Sequence, residues 1–155
     1  MQKRKISILV AEDKEYMRTL IKKYIDTNPT TSINSVDVEY ISDFCDNAEE
    51  AILRYVGGEH DIVIMDLHFD ESELNGIVAT TELLEANPFA NIIGMASEGE
   101  ARVEEFKCSG IRFFLEKVFQ DSYLWSRIDA ISEEIILKEL NSPEPEKKGL
   151  FKKKK

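Results

Sequence analysis

An open α/β fold with a doubly wound, five-stranded parallel sheet is the architecture this sequence predicts. Three observations lead there. Short apolar runs alternate along the chain with stretches of helical period. The runs are nearly continuous in apolar residues, as strands covered on both faces must be. Residues that cap or stop helices fall between the two kinds of segment.

The elements follow in order. "ISILVA" (6–11) is a strand. Met17, Leu20, Ile21, Tyr24 and Ile25 then form an i, i+3, i+4, i+7, i+8 stripe and hence a helix. "NPTTSINS" (28–35) reads as loop, and "VDVEYI" (36–41) as the second strand. Asp46 with Glu49 forms a capping box for a helix that carries Ala48, Ala51, Ile52, Tyr55 and Val56 on one face and closes at Gly57-Gly58. "IVIMD" (62–66) is the third strand. Asn75-Gly76 opens a helix to Ala86, stopped by Asn87-Pro88. "NIIGMA" (91–96) is the fourth strand, and Ser97 with Glu100 caps a helix to Ser109-Gly110. "IRFFL" (111–115) is the fifth strand. The longest helix runs from Asp121 to Leu140, with Leu124, Ile128, Ile131 and Ile135 inward. A second stripe on it (Trp125, Ser132, Ile136, Leu140) is either a partner surface or a sign of deeper burial.

The totals fit one domain over 1–140 and a disordered basic tail over 141–155. Net charge is −10, but residues 142–155 hold six Lys and two Glu, so the rest carries −14. An acidic body argues against nucleic-acid binding by the fold itself. No apolar run has the roughly 18–20 residues of a membrane span, and the short N-terminal run ends on two acids, unlike a signal peptide. Cys45 and Cys108 have no metal-ligand spacing and read as free thiols of a cytoplasmic protein. The tail, with Leu150-Phe151 among its lysines, is read first as solubilising or folding back on the acidic body, and second as touching an anionic membrane or nucleic acid.

No Gly-rich nucleotide fingerprint follows a strand. Acids recur at strand ends instead: Glu12-Asp13 after the first, Asp66 closing the third. In an open α/β sheet, ligands bind beyond the carboxyl ends of the strands, so these carboxylates converge. Clustered carboxylates repel unless a cation joins them, and an all-oxygen set suits Mg²⁺. Lys117, after the fifth strand, reaches the same mouth. Acids, a hard cation and a lysine make a phosphoryl site. The bland alternative has Glu12 and Asp13 capping the first helix and Lys117 as a surface base.

The order "ILVAED…DIVIMDL…NIIGMAS…FFLEKVF" resembles the receiver domain of bacterial response regulators, a flavodoxin-like (βα)5 fold, over about 1–140. The resemblance implies Glu12, Asp13, Asp66 and the His68 backbone carbonyl as Mg²⁺ ligands. It makes Asp66 the acceptor of a phosphoryl group from a sensor histidine kinase or phosphotransfer protein, Lys117 a phosphoryl-contacting base, and Phe114 the aromatic switch. Two positions depart from the family. Ala96 stands where a Ser or Thr contacts the phosphoryl group, leaving that role to Ser97 or to the Ala96 backbone. Val118 stands where proline often follows the lysine, and a cis Lys117–Val118 bond would cost about 2.5–4 kcal/mol, so trans is predicted. His68 reads as a loop side chain with Glu98 facing it, and the acids from Asp70 onward as a solvated loop. The implied function is a single-domain, non-enzymatic response regulator that signals through a downstream protein, with no DNA-binding domain after 140. The last two helices and fifth strand are the candidate dimer face. The alternative is a pseudo-receiver, a phosphorylation-independent binding module. An Asp-nucleophile phosphohydrolase fits poorly, because His68 stands where the second Asp of Asp-x-Asp belongs.

Overall fold

A computed structural model of the chain describes residues 2–58, 60–70, 75–97 and 110–142. The expected helix after the fourth strand, with Glu98, Glu100 and Cys108, lies outside these residues, as does the tail from 143. Chain order is β1 (Gln2–Ala11), α1 (Glu15–Thr27), β2 (Thr30–Ile33), β3 (Val36–Cys45), α2 (Ala48–Gly57), β4 (Ile62–Asp66), α3 (Gly76–Ala86), β5 (Ile92–Ser97), β6 (Phe113–Lys117) and α4 (Asp121–Leu140). The strands form one sheet in the order β2-β3-β1-β4-β5-β6. The doubly wound α/β fold is thus present with a sixth strand added at one edge.

That strand corrects the reading of 28–35 as loop. β2 pairs antiparallel with β3, Ile33 opposite Val36, across a two-residue turn at Asn34 (φ 50) and Ser35 (φ 65). Two successive left-handed residues are what a tight hairpin turn requires. Thr30, Thr31 and Ser32 are exposed on the edge, so no apolar alternation announces the strand. The other pairings are parallel: Ile8 beside Ile62, Val63 beside Ile92 and Ile93 beside Phe113. β6 lies two residues later than its apolar run suggests, because its last pairs are the charged Glu116 and Lys117.

Residues along β1 alternate between two cores, as the strand period of two dictates. Ile6, Ile8 and Val10 join Met17 and Ile21 of α1 and Leu124 and Ile128 of α4. Leu9 and Ala11 join Ala48 and Ala51 of α2 and Ala79 and Leu83 of α3. α2 is capped by Asn47, whose side chain accepts from Glu50 N at 2.7 Å. The helix starts one residue later than an Asp46 cap allows, and Asp46 stays exposed. On α4, Ser132 and Ile136 are fully buried and Ile135 only partly. Trp125 packs against the same core, donates from Nε1 to Tyr24 O at 3.2 Å and meets the Tyr40 ring edge-on at 5.0 Å. The second stripe is therefore buried in the fold and is no wet partner surface. Among the described residues, no helix is long and apolar enough to cross a membrane.

Candidate functional site

The carboxyl ends of β1, β4 and β6 meet at one edge of the sheet, between the two helical layers. Glu12 follows β1 and is held on three sides. Its N–H donates to Cys45 O (3.0 Å), its carbonyl accepts from Arg18 Nη1 (2.8 Å), and its Oε2 accepts from Lys14 N (3.0 Å). Asp66 closes β4 and is 1% exposed. Glu12 is fully buried. Lys117, closing β6, lies between them, with Nζ 2.7 Å from Glu12 Oε1 and 3.0 Å from Asp66 Oδ1. One oxygen from each of Glu12, Asp13 and Asp66 lies within 4.8 Å of the others, the one such cluster among the described residues.

The charges do not balance inside the protein. Burial, and then the neighbouring Glu12 charge, push the Asp66 carboxyl up to about 7, against the pull of Lys117 and the His68 N–H. Burial works against the Lys117 ammonium, but the two carboxylates beside it outweigh burial and raise its pKa. Asp66 Oδ2 and Asp13 Oδ1 are both buried with no hydrogen-bond partner. Two orphaned carboxylate oxygens in an all-oxygen cluster fit a hard divalent cation, so these residues suit Mg²⁺.

Asp66 Oδ1 accepts from His68 N at 3.2 Å, so the backbone after β4 turns around the acid. Ala96 is fully buried among the residues packed under α2 and α3. Ser97, beside Lys117 in the β5–β6 register, ends the strand and is exposed. Strand alternation puts it on the sheet face of Met95, Leu115 and Ile64, which is also the face of Asp66 and Lys117. Phe114 sits opposite Gly94 and packs, partly buried, against the α2–α3 core. The Lys117–Val118 bond is cis, contrary to the predicted trans form. The neighbours decide it: Lys117 is fixed by two acids, and Phe119 is buried (3% exposed) with its carbonyl accepting from Tyr24 OH at 2.9 Å.

Three participants escape a sequence reading. Lys14 ion-pairs with Asp70, and the Asp70 N–H donates to Asp13 Oδ2 at 2.7 Å. Gly76 approaches the phosphoacceptor candidate so closely that a Cβ there would lie 1.9 Å from Asp66 O. Arg18 braces the Glu12 carbonyl. None of these contacts leaves a local motif; Gly76 alone gave a signal, as a helix opener.

No protein-family model matches the chain. It is 31% identical over 127 residues to the chemotaxis protein CheY of Thermotoga maritima, a match that spans 81% of this chain and 97% of that protein. The chain belongs to the CheY-like receiver-domain family of response regulators. A second CheY, from Halobacterium salinarum, is 29% identical over 127 residues, 81% of this chain and 93% of that protein. The receiver fold also superposes on the receiver domain of NtrX from Brucella abortus with a TM-score of 0.70 at 19% identity, covering 81% of this chain and 98% of that one. A receiver domain of a Francisella response regulator gives the same TM-score and identity over 84% of this chain and 98% of its own. Two-component signalling is therefore the setting of this receiver domain, and its acid cluster occupies the strand-end mouth of the fold.

Proposed function

We propose that this receiver domain accepts a phosphoryl group on Asp66, from a sensor histidine kinase or a phosphotransfer protein, and passes the signal on by binding a downstream protein in the cytoplasm. The observation that carries this reading is the state of Asp66: one oxygen is held by Lys117 and the His68 N–H, and the other is buried and unpartnered. The Asp66 carboxylate acts as the nucleophile on phosphorus, with the donor's leaving group departing on the far side. Lys117 neutralises charge on the incoming oxygens. Ser97, on the face of Asp66, offers the hydroxyl that Ala96 lacks. Glu12, Asp13, Asp66 and the His68 carbonyl would hold Mg²⁺, which when bound offsets the negative charge of the phosphoryl oxygens. Phosphorylation adds about −1.5 to −2 charge beside β5 and β6, where Phe114 is the ring placed to respond. The domain itself is a signalling part whose only chemistry is this transfer and the later loss of the phosphoryl group to water.

The test is incubation with a small-molecule phosphodonor and Mg²⁺, read by intact mass. The wild type gains the mass of one phosphoryl group and Asp66→Ala gains none. An unmodified wild type under these conditions overturns the reading. The buried Ala96 methyl favours a second reading, a pseudo-receiver whose partner binding ignores phosphate; there, Asp66→Ala and phosphodonor leave partner affinity unchanged.

A further inference from the structure

Lys14 and Asp70 meet at the rim of the acid mouth. Lys14 directly follows the acidic pair and is the N-cap residue of α1. Its ammonium ion-pairs with Asp70 and stands 3.9 Å from Asp13 Oδ2. Asp70 comes from the chain after β4 and sends its own N–H to that same Asp13 oxygen at 2.7 Å. Two residues 56 positions apart thus converge on one oxygen of one candidate ligand. The other oxygen, Asp13 Oδ1, is buried and unpartnered.

We propose that Lys14 is an internal competitor for the divalent cation, kept at the rim by Asp70, and that this pair sets how tightly the site takes the ion. The proposal rests on Glu12, Asp13 and Asp66 being a cation site. A fixed ammonium this near a ligand oxygen repels an incoming cation and shares the carboxylate with it. Asp70 limits the effect by drawing the ammonium outward. Without Asp70, no other carboxylate among the described residues draws the Lys14 ammonium away from Asp13, and it takes up the place a cation would use. The side chains are 42% and 65% exposed, so water and salt weaken the repulsion to a tuning effect. The same exposure makes the variants safe for folding.

Mg²⁺ titrated into the full chain, followed by calorimetry, tests this without any phosphoryl transfer. Lys14→Gln is expected to tighten Mg²⁺ binding about three- to tenfold, and high salt to narrow that gap. Lys14→Arg keeps the charge and stays close to the wild type. Asp70→Asn weakens binding, and weakens it much less when Lys14→Gln is already present, because the two act through one contact. A Lys14→Gln affinity equal to the wild type, or strictly additive effects, overturns the proposal while leaving the cation site standing. A wild type that takes no Mg²⁺ overturns both.

Discussion

Asp66 carries a cost that its surroundings only partly offset. Its carboxyl is buried beside Glu12, and among the described residues Lys117 is the one ammonium between them, so ionising Asp66 is unfavourable and its pKa stands near 7 against an ordinary 3.8. The sign of the linkage follows. Between pH 4 and 7 the folded protein holds a proton that the unfolded chain has lost, so stability falls as pH rises through that window. The contribution is full below the ordinary carboxylate pKa and gone above about 7. Asp66→Asn should therefore raise the metal-free stability by about 1–3 kcal/mol at pH 8, under the roughly 4 kcal/mol that a rise from 3.8 to about 7 represents at about 1.4 kcal/mol per pH unit. It should also flatten the decline of Tm between pH 5 and 8. Thermal melts in the presence of a chelator check both, and a destabilised Asp66→Asn would refute the argument. The four polar residues at the core of this site were legible in the sequence because strand ends in a parallel sheet must converge. Lys14 and Asp70 were not, since their contact is set by the path of a loop. The cis bond after Lys117 is not legible locally, because a local cost says nothing of the contacts that fix its two neighbours.

At the scale of elements, the placing of Asp66 depends on how closely α3 lies against the end of β4. Gly76 is the first residue of α3, and its N–H donates to Leu67 O at 3.0 Å. A Cβ there would sit 1.9 Å from Asp66 O and 2.9 Å from Leu67 Cα, both backbone atoms with no side chain to rotate aside. Gly76→Ala should cost about 1–3 kcal/mol or more as an overpacking change and should displace Asp66, abolishing phosphodonor labelling. Gly57 is the control: nothing lies within 4 Å of a Cβ at that position, so Gly57→Ala should be neutral or stabilising by about 0.4–1 kcal/mol. Chemical denaturation of the pair separates a glycine required for packing from one that merely ends a helix. The helices themselves were readable from apolar period, as α1 and α4 show. Strand β2 was not, because an edge strand of Thr and Ser pairs through its backbone and leaves no hydrophobic trace. The cap of α2 was misplaced by one residue for a related reason: Asp46 and Asn47 are both good caps, and only the start of the helix decides between them.

Across the whole molecule, one partly buried cation joins parts far apart in sequence. Arg4 on β1 reaches Asp61 at the entrance of β4 (2.9 Å) and Glu139 near the end of α4 (2.8 Å). Asp61 also accepts from Ser7 N at 2.9 Å. Burial opposes the charge on Arg4, but the two carboxylates hold it firmly protonated. Arg4→Ala leaves two partly buried acids unpaired and should cost about 3 kcal/mol, with Tm lower by roughly 6–12 °C at about 2–4 °C per kcal/mol. A change under 1 kcal/mol would show the cluster to be a surface ornament. None of this triad was picked out from the sequence: a lone Arg in "QKRKIS" reads as part of a charged N-terminal run.

The same triad bears on how the chain can be rewired. It sets β1 and α4 side by side at the pole opposite the acid mouth, with Arg4 and Glu139 in direct contact. The exposed Asn34-Ser35 turn lies at an edge hairpin, far in topology from Asp66. A circular permutant that links the two ends and opens at that turn keeps every strand pairing of the sheet except the hairpin link. Such a permutant should fold and still label on Asp66. The order of the elements along the chain would then be separable from the site that they build.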